Sequence, residues 1–111
     1  MLRALITVMV TTISAVSLGQ TSYELSLDSQ RQAGIPQGEI IQLRFEESEI
    51  YRNTERDWWI YVPDQYDGQT PAALIVFQDG AAYLNETGPI RVPVVFDNLI
   101  HRGEMPVTIG V

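Results

Sequence analysis

A polar turn that contains a glycine follows the most apolar stretch of the sequence. The segment from Ala72 to Phe77 carries no charge and predicts a buried strand, which ends at Gln78-Asp79-Gly80-Ala81. In open α/β sheets the ligand crevice lies beyond the carboxyl ends of the parallel strands. The backbone amides after Phe77 are therefore the first candidates for functional groups.

The single histidine, His101, is the obvious candidate for a catalytic base. It falls in the last turn of a predicted amphipathic helix, four residues after Asp97, so a pair on the helix surface and the helix dipole explain it without catalysis. We expect Asp97 and His101 on the outer face of that helix, together with Asn98 and Arg102. No recognisable motif places a nucleophile beside His101, and one histidine makes no metal cluster.

Two other groups of side chains could bind something. Trp58, Trp59 and Tyr61 lie on one predicted strand and could stack on a sugar ring, although packing in a sheet core is the favoured interpretation. The acidic run Glu46-Glu47-Ser48-Glu49 predicts a solvated hairpin tip rather than a metal site, because consecutive side chains on a turn point in different directions.

Composition excludes several classes of function. The chain has 111 residues, enough for one small domain, and its seven basic residues are all arginine against fourteen acidic residues. Without a basic patch, nucleic acid is an improbable partner. Cysteine is absent, which excludes disulfides, thiolate zinc sites and a cysteine nucleophile in this sequence. No cofactor and no metal is expected.

The N-terminus predicts export. A short basic start, Met1-Leu2-Arg3, precedes an uncharged apolar run from Ala4 to Leu18. Small residues before Gln20 predict a signal peptide over 1–19, with cleavage before Gln20. The alternative is an uncleaved anchor, but the run is short against the ~20 residues that span a bilayer. We therefore expect a periplasmic or extracellular protein without stable membrane insertion.

The remaining elements predict an α/β fold. An extended, solvated leader over 20–38 precedes antiparallel strands at about 39–46 and 57–63. A strand at 72–77, a helix at 92–102 and a strand at 106–111 form one βαβ unit with parallel strands, and a surface loop follows Gly80. Because a parallel strand at residue 111 expects further strands and helices around it, we interpret the sequence as part of a larger sheet.

Four segments together resemble a known family, and we quote them in chain order. They are Asp28-Ser29-Gln30-Arg31-Gln32-Ala33-Gly34-Ile35-Pro36-Gln37-Gly38, Arg56-Asp57-Trp58-Trp59-Ile60-Tyr61-Val62-Pro63-Asp64-Gln65-Tyr66, Val76-Phe77-Gln78-Asp79-Gly80-Ala81-Ala82-Tyr83 and Val92-Pro93-Val94-Val95-Phe96-Asp97-Asn98-Leu99-Ile100. In this combination they resemble the opening third of secreted bacterial esterases related to enterochelin esterase and esterase D.

The resemblance implies an α/β-hydrolase fold that cleaves small-molecule carboxylic esters with a serine, an acid and a histidine. In that fold the nucleophile lies in a Gly-x-Ser-x-Gly turn after the fifth strand, and no such motif occurs in the 111 residues. The resemblance assigns only the oxyanion loop to this sequence. In this loop the amide of Ala81 would donate a hydrogen bond to the developing oxyanion, while Asp79 and Gly80 shape the turn. We therefore expect these 111 residues to be inactive alone.

Two alternatives come from other classes. One is a small noncatalytic module that binds carbohydrate through Trp58, Trp59 and Tyr61. The other is a structural remnant that pairs with a separate chain supplying the missing strands.

Overall fold

The computed structural model describes residues 24–111, in which a 3-10 turn (Leu27–Ser29) is followed by three strands, two short helices and a fourth strand. The strands are β1 (Glu39–Phe45), β2 (Arg56–Val62), β3 (Ala73–Ile75) and β4 (Thr108–Gly110), and the helices are α1 (Gly80–Leu84) and α2 (Val92–His101). They make a mixed α/β fold with one four-stranded sheet in the order β1-β2-β4-β3. The signal peptide predicted over 1–19 lies outside the described residues.

The two predicted antiparallel strands form a hairpin along one side of the sheet. Strands β1 and β2 are antiparallel over their full length, with Ile41 opposite Ile60 and Leu43 opposite Trp58. Alternating apolar and polar residues in β1 set this register, because each step of one residue moves a side chain to the other face. The prediction of two antiparallel strands is confirmed, with bounds of 39–45 and 56–62.

The predicted parallel pair is also confirmed. Strand β3 runs parallel to β4, with Leu74 beside Ile109 and Ile75 beside Gly110. Both strands are shorter than the predicted 72–77 and 106–111, although the amide of Phe77 still donates to the carbonyl of Val111 at 2.7 Å. Strand β4 joins the two halves of the sheet through an antiparallel bridge between Tyr61 and Gly110.

Helix α2 covers one face of the sheet and supplies the core. The buried cluster consists of Tyr61, Val92, Phe96 and Ile100. The rings of Tyr61 and Phe96 meet edge to face, with centroids 5.6 Å apart, a geometry that stabilises aromatic pairs beyond the area they bury. An arginine precedes the helix and Pro93 occupies its first turn, where the missing amide hydrogen needs no partner.

The opposite face of the sheet has no helix on it among residues 24–111, and we call it the open face. Tyr61 and Gly110 are opposite each other on the helix side, and side chains alternate between the two faces along every strand. The register therefore puts four apolar side chains on the open face: Ile41, Leu43, Trp58 and Leu74. All four side chains are exposed. The apolar half of the β1 alternation therefore faces away from α2.

Two predictions about the helices are wrong. The prediction of a surface loop directly after Gly80 fails because Gly80–Leu84 is a helical turn, α1. The placement of Asp97 and Asn98 on the outer face of α2 fails because they are only 1% and 2% exposed. His101 and Arg102 are exposed, as predicted.

The leader explains the burial of Asn98, because it lies along α2 instead of extending into solvent. The Asn98 side-chain amide donates to the carbonyls of Asp28 at 2.8 Å and Gln30 at 3.0 Å. Arg102 donates to the Asp28 carboxylate at 2.6 Å, and Arg91 donates to the Ser29 carbonyl at 3.1 Å. One face of α2 thus contacts the sheet, and an adjacent face satisfies the backbone carbonyls of the leader.

Replacing Asn98 with alanine is expected to lower the free energy of unfolding by about 1–3 kcal/mol, because its partly buried hydrogen bonds to the carbonyls of the leader are lost. Urea unfolding measures the global effect, and tryptic cleavage after Arg31 should accelerate as the leader detaches. His101→Ala, on the exposed side of the same helix, is the control and should change stability by less than about 0.5 kcal/mol. Equal effects of both substitutions would show that the contacts between Asn98 and the leader do not stabilise the protein.

Within residues 24–111, no helix is long and apolar enough to cross a bilayer.

Candidate functional site

The loop after β3 has the geometry of a turn that exposes backbone donors. Asp79 adopts a left-handed conformation, with φ 59° and ψ 44°, and α1 begins at the next residue. The amide of Ala82 donates to the Asp79 carbonyl at 3.1 Å, which closes the first turn. Among residues 24–111 the amides of Gly80 and Ala81 have no hydrogen-bond acceptor. Two adjacent donors are therefore available beside the carboxyl end of β3.

Aromatic side chains support this loop from beneath. Gly80 lies on the Trp59 ring, where an added Cβ would come within 3.2 Å of the ring carbon Cε3. Phe77 and Tyr83, at the two ends of the loop, stack with centroids 4.8 Å apart. A glycine at position 80 thus lets the backbone approach Trp59 closely, and the aromatic contacts fix the direction of the amides that follow.

A small apolar cavity of about 20 Å³ lies between the loop and the sheet. Its walls include Trp59, Tyr61, Phe77, Gly80, Tyr83 and Gly110. The volume is near that needed by a single water molecule, but an apolar lining offers few hydrogen bonds, so a cavity of this kind stays dry. The cavity accommodates at most a methyl-sized group without rearrangement.

A buried carboxylate, Asp97, ties the leader to the sheet behind the loop. Its Oδ1 accepts from the Tyr61 hydroxyl at 2.6 Å and from the Gly38 amide at 2.9 Å. Its Oδ2 pairs with the guanidinium of Arg31. Burial, and then the hydrogen bond to Asp97, raise the pKa of Tyr61 far above its usual value, so the phenol stays protonated and donates.

Arg31 links this buried site to the surface. Its guanidinium also pairs with Glu86, whose side chain is 46% exposed, and that pairing holds the pKa of Glu86 below its usual value. An exposed ion pair contributes little because water and salt screen it. The buried half of the network, which joins Asp97, Tyr61 and Gly38, is the half that positions the backbone.

The structure places the other candidate residues apart from the loop or from each other. Tyr61 is 2% exposed with its hydroxyl held by Asp97, and Trp59 packs under Gly80. Trp58 faces the opposite side of the sheet. The three aromatic side chains proposed for sugar stacking therefore do not share one surface.

Acidic and histidine side chains make no metal-binding group in the described part of the chain. Glu46, Glu47 and Glu49 are exposed around the hairpin tip.

Comparison with known proteins identified no matching family model, and no curated protein was found to be similar.

Proposed function

We propose that this chain provides the oxyanion-binding part of a serine ester hydrolase of the α/β-hydrolase type. The observation that carries the proposal is the pair of adjacent amides at Gly80 and Ala81, which lack acceptors within residues 24–111. They belong to the first turn of α1, the helix that follows the parallel strand β3. In α/β-hydrolases one oxyanion donor comes from the loop between the third strand and the first helix. Asp79, Gly80 and Ala81 follow β3 and begin α1, which supports assigning this role to them.

The chemistry follows from the charge that develops during ester cleavage. Attack on the carbonyl carbon turns the carbonyl oxygen into an oxyanion, and preorganised donors about 2.7–3.1 Å away stabilise it. The Ala81 amide is fixed before substrate binds, because Gly80 rests on Trp59 and Phe77 stacks on Tyr83. Little reorganisation is then needed when the charge appears.

Nucleophile and general base must come from other polypeptide. No Gly-x-Ser-x-Gly motif occurs in the sequence, and His101 is exposed in the last turn of α2. The resemblance implies that serine, acid and histidine would lie in segments later than the fourth strand. The substrate class is a carboxylic ester, and no cofactor enters the proposal.

The proposal is tested by ester hydrolysis. We expect the 111-residue chain to show no hydrolysis of p-nitrophenyl acetate above a protein-free control, since a donor without a nucleophile forms no covalent intermediate. The longest natural polypeptide that contains these residues is expected to hydrolyse the ester and to lose activity with a serine-directed organophosphate. Natural full-length protein that is inert toward a panel of acyl esters, or active without organophosphate sensitivity, would contradict the proposal.

A further inference from the structure

Two arginines join the leader to the segment between the helices, residues 85–91, which we call the α1–α2 loop. From the leader, Arg31 pairs with Glu86, the second residue after α1. In the opposite direction the guanidinium of Arg91, at the end of the loop, donates to the leader carbonyl of Ser29 at 3.1 Å. The leader and the α1–α2 loop therefore hold each other through one ion pair and one contact with the backbone.

Arg91 also fixes the loop itself. Its Nε donates to the carbonyl of Gly88 at 2.6 Å, and its Nη2 donates to the carbonyl of Thr87 at 3.2 Å. The backbone of Arg91 is left-handed, with φ 55° and ψ 44°, a conformation that is strained for a residue other than glycine. A glycine would adopt this conformation freely, but it has no guanidinium. The three carbonyl contacts of the arginine therefore offset the strain at this position.

Helix α1 depends on the α1–α2 loop because it is short. Its five residues are fewer than a helix requires to be stable by itself in water. The contacts of Gly80 with Trp59 and of Tyr83 with Phe77 support it from the sheet. The contacts made by the two arginines begin at Glu86, directly beyond its C-terminal end. Release of the loop would therefore let α1 unfold, and the amides of its first turn would lose their common direction.

We propose that Arg91 and Arg31 are positioning residues for the oxyanion donors at Gly80 and Ala81. By holding the α1–α2 loop against the leader they keep α1 folded, so that both amides are in place before a substrate binds. This inference rests on the proposed function, which gives these two amides their role. Arg91 makes the larger contribution, since two of its three hydrogen bonds are partly buried, whereas water and salt screen the pair between Arg31 and Glu86.

The first test compares two arginine variants of the natural full-length polypeptide. Arg91→Met removes the three donors and retains an apolar stem, and we expect kcat for p-nitrophenyl acetate to fall about tenfold with little change in KM, because positioned amides act mainly on the transition state. Arg102→Met is the matched control. Arg102 also joins α2 to the leader, but within residues 24–111 its hydrogen bonds go to Asp28 and Glu104 rather than to the α1–α2 loop. Its kcat should stay within about twofold of the unchanged protein.

Amide hydrogen exchange gives a readout that does not depend on catalysis. Peptides that cover residues 80–91 should exchange about ten times faster in Arg91→Met than in Arg102→Met, because an ordered helix protects its amides and a released loop does not. Thermal unfolding of both variants measures any loss of global stability, which a purely structural role would cause without a selective change at 80–91.

A second variant keeps the inference testable if Arg91→Met does not fold. Glu86→Gln releases only the exposed ion pair, so it should lower kcat by about fivefold at most. About 1 M NaCl should lower kcat of the unchanged protein by a similar factor and have little further effect on Glu86→Gln, because salt screens that pair. A kcat unchanged by Glu86→Gln would then overturn the inference.

The outcomes separate this inference from the proposed function. Equal kcat and equal exchange in Arg91→Met and Arg102→Met would overturn the inference while the ester hydrolase stands. Faster exchange at 80–91 without a loss of kcat would also overturn it, because the donors would then not depend on the loop. A natural polypeptide that is inert toward esters would instead overturn the proposed function, and the role of the two arginines with it.

Discussion

Replacing Asp97 with alanine is expected to lower the free energy of unfolding by about 3–5 kcal/mol, because two polar donors lose their acceptor and each unsatisfied buried group costs about 1–3 kcal/mol. The Tyr61 hydroxyl and the Gly38 amide lose their common acceptor, and Arg31 loses the partner on its buried side. Urea unfolding followed by tryptophan fluorescence measures the change. Since small domains have about 5–15 kcal/mol in total, the variant should be close to unfolding at physiological temperature.

Two further substitutions separate the buried contacts from the surface pair. Asp97→Asn keeps an oxygen for Tyr61 and Gly38 but removes the charge that pairs with Arg31, so its effect should be intermediate. Glu86→Gln removes the exposed partner of the same arginine and should cost no more than about 1 kcal/mol. If Glu86→Gln destabilised the protein as much as Asp97→Ala does, the surface pair between Arg31 and Glu86 would be the main contribution to stability. Our assignment of that stability to the buried contacts of Asp97 would then be wrong.

In the natural full-length polypeptide, Ala81→Pro is expected to lower kcat for p-nitrophenyl acetate by about 10²–10³, the usual effect of losing one oxyanion donor. Proline removes the amide hydrogen of residue 81 and nothing else that this residue donates. A proline in the first turn of a helix is tolerated because no backbone acceptor within the helix is lost. KM should change little, since the donor acts mainly on the transition state.

Ala81→Ser is the matched control, because it changes the side chain at an exposed position and retains the amide. Its kcat should stay close to that of the unchanged protein. Thermal unfolding of both variants establishes that they are folded to the same extent before their rates are compared. Full activity in Ala81→Pro would remove Ala81 from the proposed donors, and equal losses in both variants would point to the side chain or the loop conformation instead.

The order of apolar and polar residues along the chain was sufficient to predict the strands. Alternation from Ile41 to Phe45 predicted β1, and the uncharged run before Gln78 predicted a strand parallel to the one that ends the sequence. Both pairings are present. Strand ends were predicted less well, because β3 and β4 have three residues each, although hydrogen bonds between the two segments continue to Phe77 and Val111.

Polar residues on α2 show the limit of the same approach. Periodicity identified Phe96 and Ile100 as core residues, and it assigned Asp97 and Asn98 to solvent because they are polar. A polar side chain can be buried when it satisfies backbone groups of another segment, and periodicity contains no information about that segment. The carbonyls that Asn98 satisfies belong to Asp28 and Gln30 in the leader, which has no periodic pattern of its own.

The sequence predicted the polar turn that follows β3, but not the contacts that support this turn. An apolar strand followed by Asp79 and Gly80 was enough to locate the loop. The short helix α1 was missed because five residues are too few for a periodic pattern. Contact between Gly80 and Trp59 joins residues that are distant in sequence, and no local pattern predicts such a contact.

The attachment of the leader to α2 has a consequence for the order in which the protein folds. Arg31 and Asp97 are separated by 66 residues, and Asp28 and Asn98 by 70. Closing loops of this length costs entropy before any contact repays it, so such contacts form late. During synthesis Asp28 and Arg31 leave the ribosome before α2 does, yet their contacts cannot form until α2 has been made. This part of the leader is thus expected to become ordered after the elements that follow it.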